Sequence, residues 1–161
     1  MSTTNSLKLE TRGEREFVMN RVFESPRQLV WDAHTRPELV RKWMLGPDGW
    51  SMPVCEIDLR PGGRLRYVWR RDAGGQEMAM SGSFREVVPP ERLVHTESFD
   101  DPWYPGEAIV TTTFEEQDGR TMLTMVMELE SAEGRDLVLG SGMERGMEAG
   151  YERLDRMLQE M

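Results

Sequence analysis

The last stretch of the chain constrains its fold most. Between about residues 135 and 160, Leu139, Met143, Met147, Leu154, Met157 and Leu158 fall on one side of a helix wound at about 100° per residue. Glu144, Arg145, Glu148, Glu152, Asp155 and Arg156 fall on the other. One long amphipathic helix is expected, and its apolar stripe has to be buried against another element. Gly146 and Gly150 sit inside that stripe, and each costs a helix about 1 kcal/mol relative to alanine. Two explanations are open: the glycines let the helix approach its partner closely, or they leave volume for a guest.

The partner surface has to be a sheet. After Gly49 the chain breaks into short runs at even spacing, separated by Pro and Gly clusters, which is the pattern of an antiparallel meander. Strands are expected near 50–59, 64–71, 76–88, 92–99, 107–116 and 121–130. Pro61-Gly62-Gly63, Asp72-Ala73-Gly74-Gly75 and Asp118-Gly119 supply backbone suited to tight turns. Leu123, Met125, Met127 and Leu129 alternate against Thr124, Val126 and Glu128, so one face of that strand belongs to a core.

Residues 1–13 are polar and aperiodic and are expected to form a flexible arm, leaving 14–161 as a single domain. A strand follows near 14–24, with Phe17, Met19, Arg21 and Phe23 on one face and Val18, Asn20, Val22 and Glu24 on the other. The mixture leaves its buried side open. Ser25-Pro26 with Gln28, and Thr35-Arg36-Pro37-Glu38, read as two helix starts, with Ser25 and Thr35 as caps. They predict two short helices that carry Trp31 and Trp43 and end at Gly46-Pro47.

Composition narrows the function classes. A net charge of -9 argues against a nucleic-acid surface, which needs a face rich in Lys and Arg. The single cysteine, Cys55, cannot form an internal disulfide, and the first residues lack the apolar run of a signal peptide. A cytoplasmic protein is expected, with no membrane span. The sequence contains no HExxH, CxxC or calcium-loop pattern, so no metal site and no cofactor are expected. Gly140-Ser141-Gly142 lacks the spacing of a nucleophile turn. The apolar neighbours of Cys55, Ile57 and Leu59, suggest a buried, inert thiol.

The order strand, two short helices, meander, long helix resembles the helix-grip fold of the SRPBCC (START-like, Bet v 1-like) superfamily. Within it, the chain is similar to the family named for the heat-shock protein 90 ATPase activator homologue. The resemblance rests on Phe23-Glu24-Ser25-Pro26, Val30-Trp31-Asp32-Ala33, Thr35-Arg36-Pro37-Glu38 with Trp43, and Asp58-Leu59-Arg60-Pro61-Gly62-Gly63. Val88-Pro89-Pro90-Glu91-Arg92-Leu93-Val94 with Thr96, and Gly150-Tyr151 with Leu154, complete it. It covers residues from about 15 to 160. It implies an α+β fold in which a curved antiparallel sheet of about six to seven strands wraps a long C-terminal helix, with a cavity between them. The superfamily uses such cavities for lipids, steroids and polyketides. Family members often carry aromatic residues where this chain has His95 and Glu97, so one wall of the cavity should be more polar here.

Candidate ligand-binding residues are Tyr67, Trp69, Met80, His95, Glu97, Phe114, Met127, Met143, Met147, Gly150 and Tyr151. With 13 methionines in 161 residues, flexible thioethers suit either an adaptable pocket or an irregular core. Leu93, His95, Glu97 and Phe99 share one strand face. If that face points inward, His95 and Glu97 stand about 7 Å apart along the strand and could polarise a ligand or move a proton. If it points outward, they are surface residues. The loop 100–106 presents Trp103 and Tyr104 between prolines, either as a lid or packed back onto the protein, and Trp43 and Trp50 could form the opposite rim.

Three functions fit. The favoured one is binding of a bulky hydrophobic small molecule, such as a lipid, steroid or polyketide-like compound, between sheet and helix. The second is a co-chaperone-like interaction module with a chaperone partner, as the family resemblance implies. The third is a cyclase- or hydrolase-type enzyme using His95 and Glu97, less favoured because no complete catalytic constellation is present. A homodimer is compatible with related folds, although no self-complementary patch is visible in the sequence.

Overall fold

The computed structural model describes residues 6–161. Their chain order is β1 (Lys8–Arg12), β2 (Glu16–Phe23), α1 (Arg27–Thr35), α2 (Pro37–Trp43), β3 (Trp50–Ile57), β4 (Arg64–Arg71), β5 (Glu77–Val88), β6 (Arg92–Phe99), β7 (Ala108–Gln117), β8 (Arg120–Glu128), α3 (Ala132–Leu139) and α4 (Met143–Gln159). The strands form one antiparallel sheet in the spatial order β1-β2-β8-β7-β6-β5-β4-β3. Consecutive hairpins build β3 to β8, and β8 closes back onto β2 with Phe17 opposite Met127 and Met19 opposite Met125. Helices α1 and α2 carry the chain from β2 to the far edge, where β3 begins.

The sheet has eight strands, not six to seven. The extra strand is β1, inside the segment expected to be a flexible arm: Lys8 pairs with Asn20 and Arg12 with Glu16. It escaped the sequence because it is an edge strand exposed at every position but Leu9, which leaves no alternation to read. The remainder of that segment, residues 1–5, lies outside the described residues.

On β2 the buried face is Phe17, Met19, Arg21 and Phe23. Arg21 is only 1% exposed, and α4 supplies its partner. Its Nη1 and Nη2 donate to the two carboxylate oxygens of Asp155 at 3.0 and 2.5 Å, and Nη1 also reaches the Val22 carbonyl at 2.8 Å. The guanidinium lies 4.8 Å from the Phe23 ring centroid and 6.0 Å from that of Tyr151, so the charge meets two aromatic rings as well as its carboxylate partner.

Sheet curvature comes from β5. Its register with β6 shifts between Phe84 and Glu86, a bulge that bends the strand. Close by, a Cβ at Gly82 would lie 1.7 Å from the Thr96 carbonyl oxygen, so only glycine permits this approach. The β7–β8 hairpin turns on Asp118 and Gly119, both left-handed (φ 56° and 77°), as a tight two-residue turn requires.

The expected helix caps are displaced by one residue. Pro26 and Arg36 occupy the cap positions of α1 and α2, and neither helix has a side-chain cap hydrogen bond. Thr35 ends α1 and spends its hydroxyl on the Trp31 carbonyl (2.9 Å). The long C-terminal helix is also two helices. α3 is capped by Ser131, whose hydroxyl accepts the Gly134 N–H at 3.0 Å. It ends at Gly140, and Gly142 then turns left-handed (φ 87°) before α4 starts. Tyr151, Leu154 and Leu158 bury the stripe of α4.

Candidate functional site

The concave face of the sheet and the helices do not fill the space between them. An internal cavity of about 230 Å³ remains, walled by β4 to β8, α4 and the 100–106 loop. Of the residues singled out from the sequence, Tyr67, Trp69, Met80, His95, Glu97, Met127, Met143, Met147 and Tyr151 line it. Phe114 does not. It shares a strand face with Val110 and Thr112, but α1 covers that end, and its ring packs edge-on against Trp31 (5.4 Å) and His34 (5.3 Å). Gly150 is outside the inner cavity too. It faces Trp43, whose carbonyl oxygen would lie 3.2 Å from an added Cβ, so close packing of α4 on α2 explains this glycine.

A second, outer space of about 510 Å³ adjoins the first and is bordered by Leu45, Pro47, Trp50, Met78, Gly146 and Gly150. Both spaces share Trp69, Phe99, Trp103, Met143 and Met147 as walls, so a few side chains separate inside from outside. The aromatic pair of the 100–106 loop is part of that wall. Tyr104 is only 6% exposed, and its ring meets Trp103 at 4.9 Å and Phe99 at 6.0 Å. Trp50 borders the outer space as a rim, and Trp43, buried with its Nε1–H donating to the Ala33 carbonyl at 2.8 Å, lines both spaces.

His95 and Glu97 point inward, and their side chains lean together: Nε2 and Oε2 are 3.0 Å apart. A carboxylate only accepts, so Nε2 carries the proton. The other nitrogen, Nδ1, is enclosed with no partner among the described residues, as is Trp103 Nε1. Burial, reinforced by the Glu97 charge, pushes the Tyr67 and Tyr104 hydroxyls well above the usual tyrosine range. Burial also raises Tyr151, against a small opposing effect of Arg21. All three stay protonated donors.

Sequence reasoning missed His34. The chain has two histidines, and both line this cavity. His34 Nδ1 donates to the Val30 carbonyl at 2.8 Å, and its ring meets Trp43 edge-on at 4.8 Å. Burial lowers its pKa to about 4, with the Val30 hydrogen bond acting in the opposite direction. The ring is therefore neutral near pH 7, with Nε2 as an acceptor. Its position one turn after Val30, on the same side of α1, was the signal available in the sequence.

Cys55 lies on β3 outside the cavity and is half-buried; desolvation pushes its thiol up to about 11, which keeps it protonated and unreactive. Among the described residues, no three His, Cys, Asp or Glu side chains gather as a metal-ligand set, and no helix is long and apolar enough to cross a membrane.

Comparison with known proteins places this geometry. No functionally curated protein matches the chain. Among solved structures, a protein of Rhodobacter sphaeroides shares 30% identity over 97% of this chain and 99% of its own, with a TM-score of 0.91. A Nitrosomonas europaea protein shares 28% identity over 92% of this chain and 97% of its own, with a TM-score of 0.81. The fold also recurs in an AHSA1-like protein of Aeromonas hydrophila, with 19% identity over 87% of this chain and 93% of its own and a TM-score of 0.70. The model of one family, "Activator of Hsp90 ATPase homolog 1-like protein", matches residues 24–159. With that match and an eight-stranded sheet packed against its C-terminal helix, the chain belongs to the Activator of Hsp90 ATPase homolog 1-like family, within the SRPBCC superfamily.

Proposed function

We propose that this protein binds a bulky apolar small molecule between its sheet and α4. The observation that carries the reading is the pair of adjoining spaces behind a thin aromatic and methionine wall. Ligand pockets usually span roughly 300–1,000 Å³. The inner cavity alone, at about 230 Å³, suits a small ring system, and a larger guest reaches the outer space by displacing Trp103, Met143 or Met147. Thioethers and a loop-borne tryptophan are the side chains that can move aside at least cost.

The site supports catalysis less well. A general base has to be within reach of the proton that it takes, yet His95 has one nitrogen engaged by Glu97 and the other enclosed. For a co-chaperone role the support is the family match alone. Thermal denaturation with a panel of steroids, aromatic polyketides and lipids tests the binding reading. At least one class is expected to raise the melting temperature in a saturable way, by about 2.7 kcal/mol of stabilisation at a hundredfold excess over Kd. A panel without any saturable shift would contradict it.

A further inference from the structure

We infer that the cavity selects neutral guests bearing a hydroxyl or carbonyl group and rejects carboxylates such as fatty acids. The inference rests on the binding function proposed above and concerns the ligand's polar end.

Its basis is the set of polar groups that the cavity presents. No Lys or Arg lines either the inner or the outer space. Arg21, the buried cation nearest to α4, is committed to Asp155 by two hydrogen bonds and is not among the lining residues. The one carboxyl group in the inner wall is that of Glu97, whose side chain is 19% exposed and engaged with His95. The other polar groups of the inner wall include tyrosine hydroxyls, Thr112 and the two imidazoles. The Tyr67 and Tyr151 hydroxyls belong to buried residues of the wall and have no hydrogen-bond partner among the described residues. Neither oxygen is among the fully enclosed unpartnered atoms, and both residues line the inner cavity. His34, held in one tautomer by Val30, adds an acceptor at Nε2.

A guest carboxylate would therefore lose its hydration, meet no cation and share a low-dielectric space with Glu97. A guest hydroxyl or carbonyl can accept from a tyrosine and, if it is a hydroxyl, donate to His34. It also satisfies tyrosine donors that are otherwise unpaired, a state that carries a free-energy cost. The apolar, largely aromatic walls favour a ring system as the body of the guest.

The test uses three probes with one ring body, naphthalene, 2-naphthol and 2-naphthoate, titrated calorimetrically at pH 8 into wild-type protein, Glu97→Gln and Tyr67→Phe. In wild type, 2-naphthol should bind tightest and 2-naphthoate at least about tenfold more weakly than 2-naphthol. Glu97→Gln should narrow that gap. Tyr67→Phe should reduce the advantage of 2-naphthol over naphthalene, and melting curves of both variants establish that they are folded. Naphthalene binding with 2-naphthoate as tight as 2-naphthol, or with a gap untouched in both variants, overturns the selectivity and leaves the binding function standing. Failure of all three probes to bind overturns both.

Discussion

Arg21 and His34 show two ways in which an ionisable side chain is accommodated in the interior: Arg21 by pairing, His34 by staying uncharged. Arg21 lies on the core face of β2, where a sequence pattern expects a hydrophobe, and Asp155 lies on the side of α4 expected to be polar. The ion pair satisfies a mispatterned arginine from a polar position of α4, and it is also the strongest polar tie between sheet and α4. Replacing Asp155 with Ala would strand a guanidinium that is 1% exposed, at a cost of about 3 kcal/mol in chemical denaturation. Replacing both partners, as Arg21→Met with Asp155→Leu, should recover most of that stability; a double variant no more stable than Asp155→Ala would show that the pair is not what matters. His34 has the opposite character, an ionisable group kept uncharged. Its folded pKa of about 4 lies below the ordinary value of 6.5, so the unfolded chain binds the extra proton and acid favours unfolding. Its contribution to stability is complete above pH 6.5 and falls through the window down to about pH 4, by about 1 kcal/mol per pH unit. A His34→Phe variant should show a shallower loss of stability across that window than wild type, and equal slopes would contradict the assignment.

At the scale of elements, the strands of the meander were legible because each is bounded by turn residues with a specific backbone role, as Asp118 and Gly119 show. β1 was not legible, since an exposed edge strand needs no hydrophobic alternation. The break between α3 and α4 was hidden for a different reason. The apolar spacing of Leu139 and Met143 continues across Gly140-Ser141-Gly142, so periodicity alone predicts one helix. The two glycines of α4 separate by their surroundings. A Cβ at Gly146 would make ordinary contacts, 3.6 Å to Pro47 and 3.7 Å to Gly46, whereas one at Gly150 would press on the Trp43 carbonyl at 3.2 Å. Gly146→Ala should therefore gain close to the full helix-propensity difference of about 1 kcal/mol, and Gly150→Ala distinctly less. The reverse order in denaturant unfolding would mean that α4 sits differently on α2.

For the whole molecule, sheet and helix together create what neither contains. The bulge in β5 and the close approach at Gly82 bend the sheet, α1 and α2 close one end, and α4 spans the opening. Alternation along β6 named His95 and Glu97 as sharing a face, but the inward direction of that face, the contact between their side chains and the nearby Tyr67 depend on curvature that no local pattern encodes. Phe114 marks the same limit, since its parity is right and only the position of α1 removes it from the cavity. Whether the enclosed space is a binding site is the central claim, and calorimetry of naphthalene with wild type and with Thr112→Phe and Met147→Trp tests it most directly. These two substitutions fill the cavity from the sheet and from the helix wall. Saturable binding to wild type with a negative heat-capacity change, lost in both folded variants, is the predicted result. Binding that is absent in wild type, or undiminished in both variants, would contradict it.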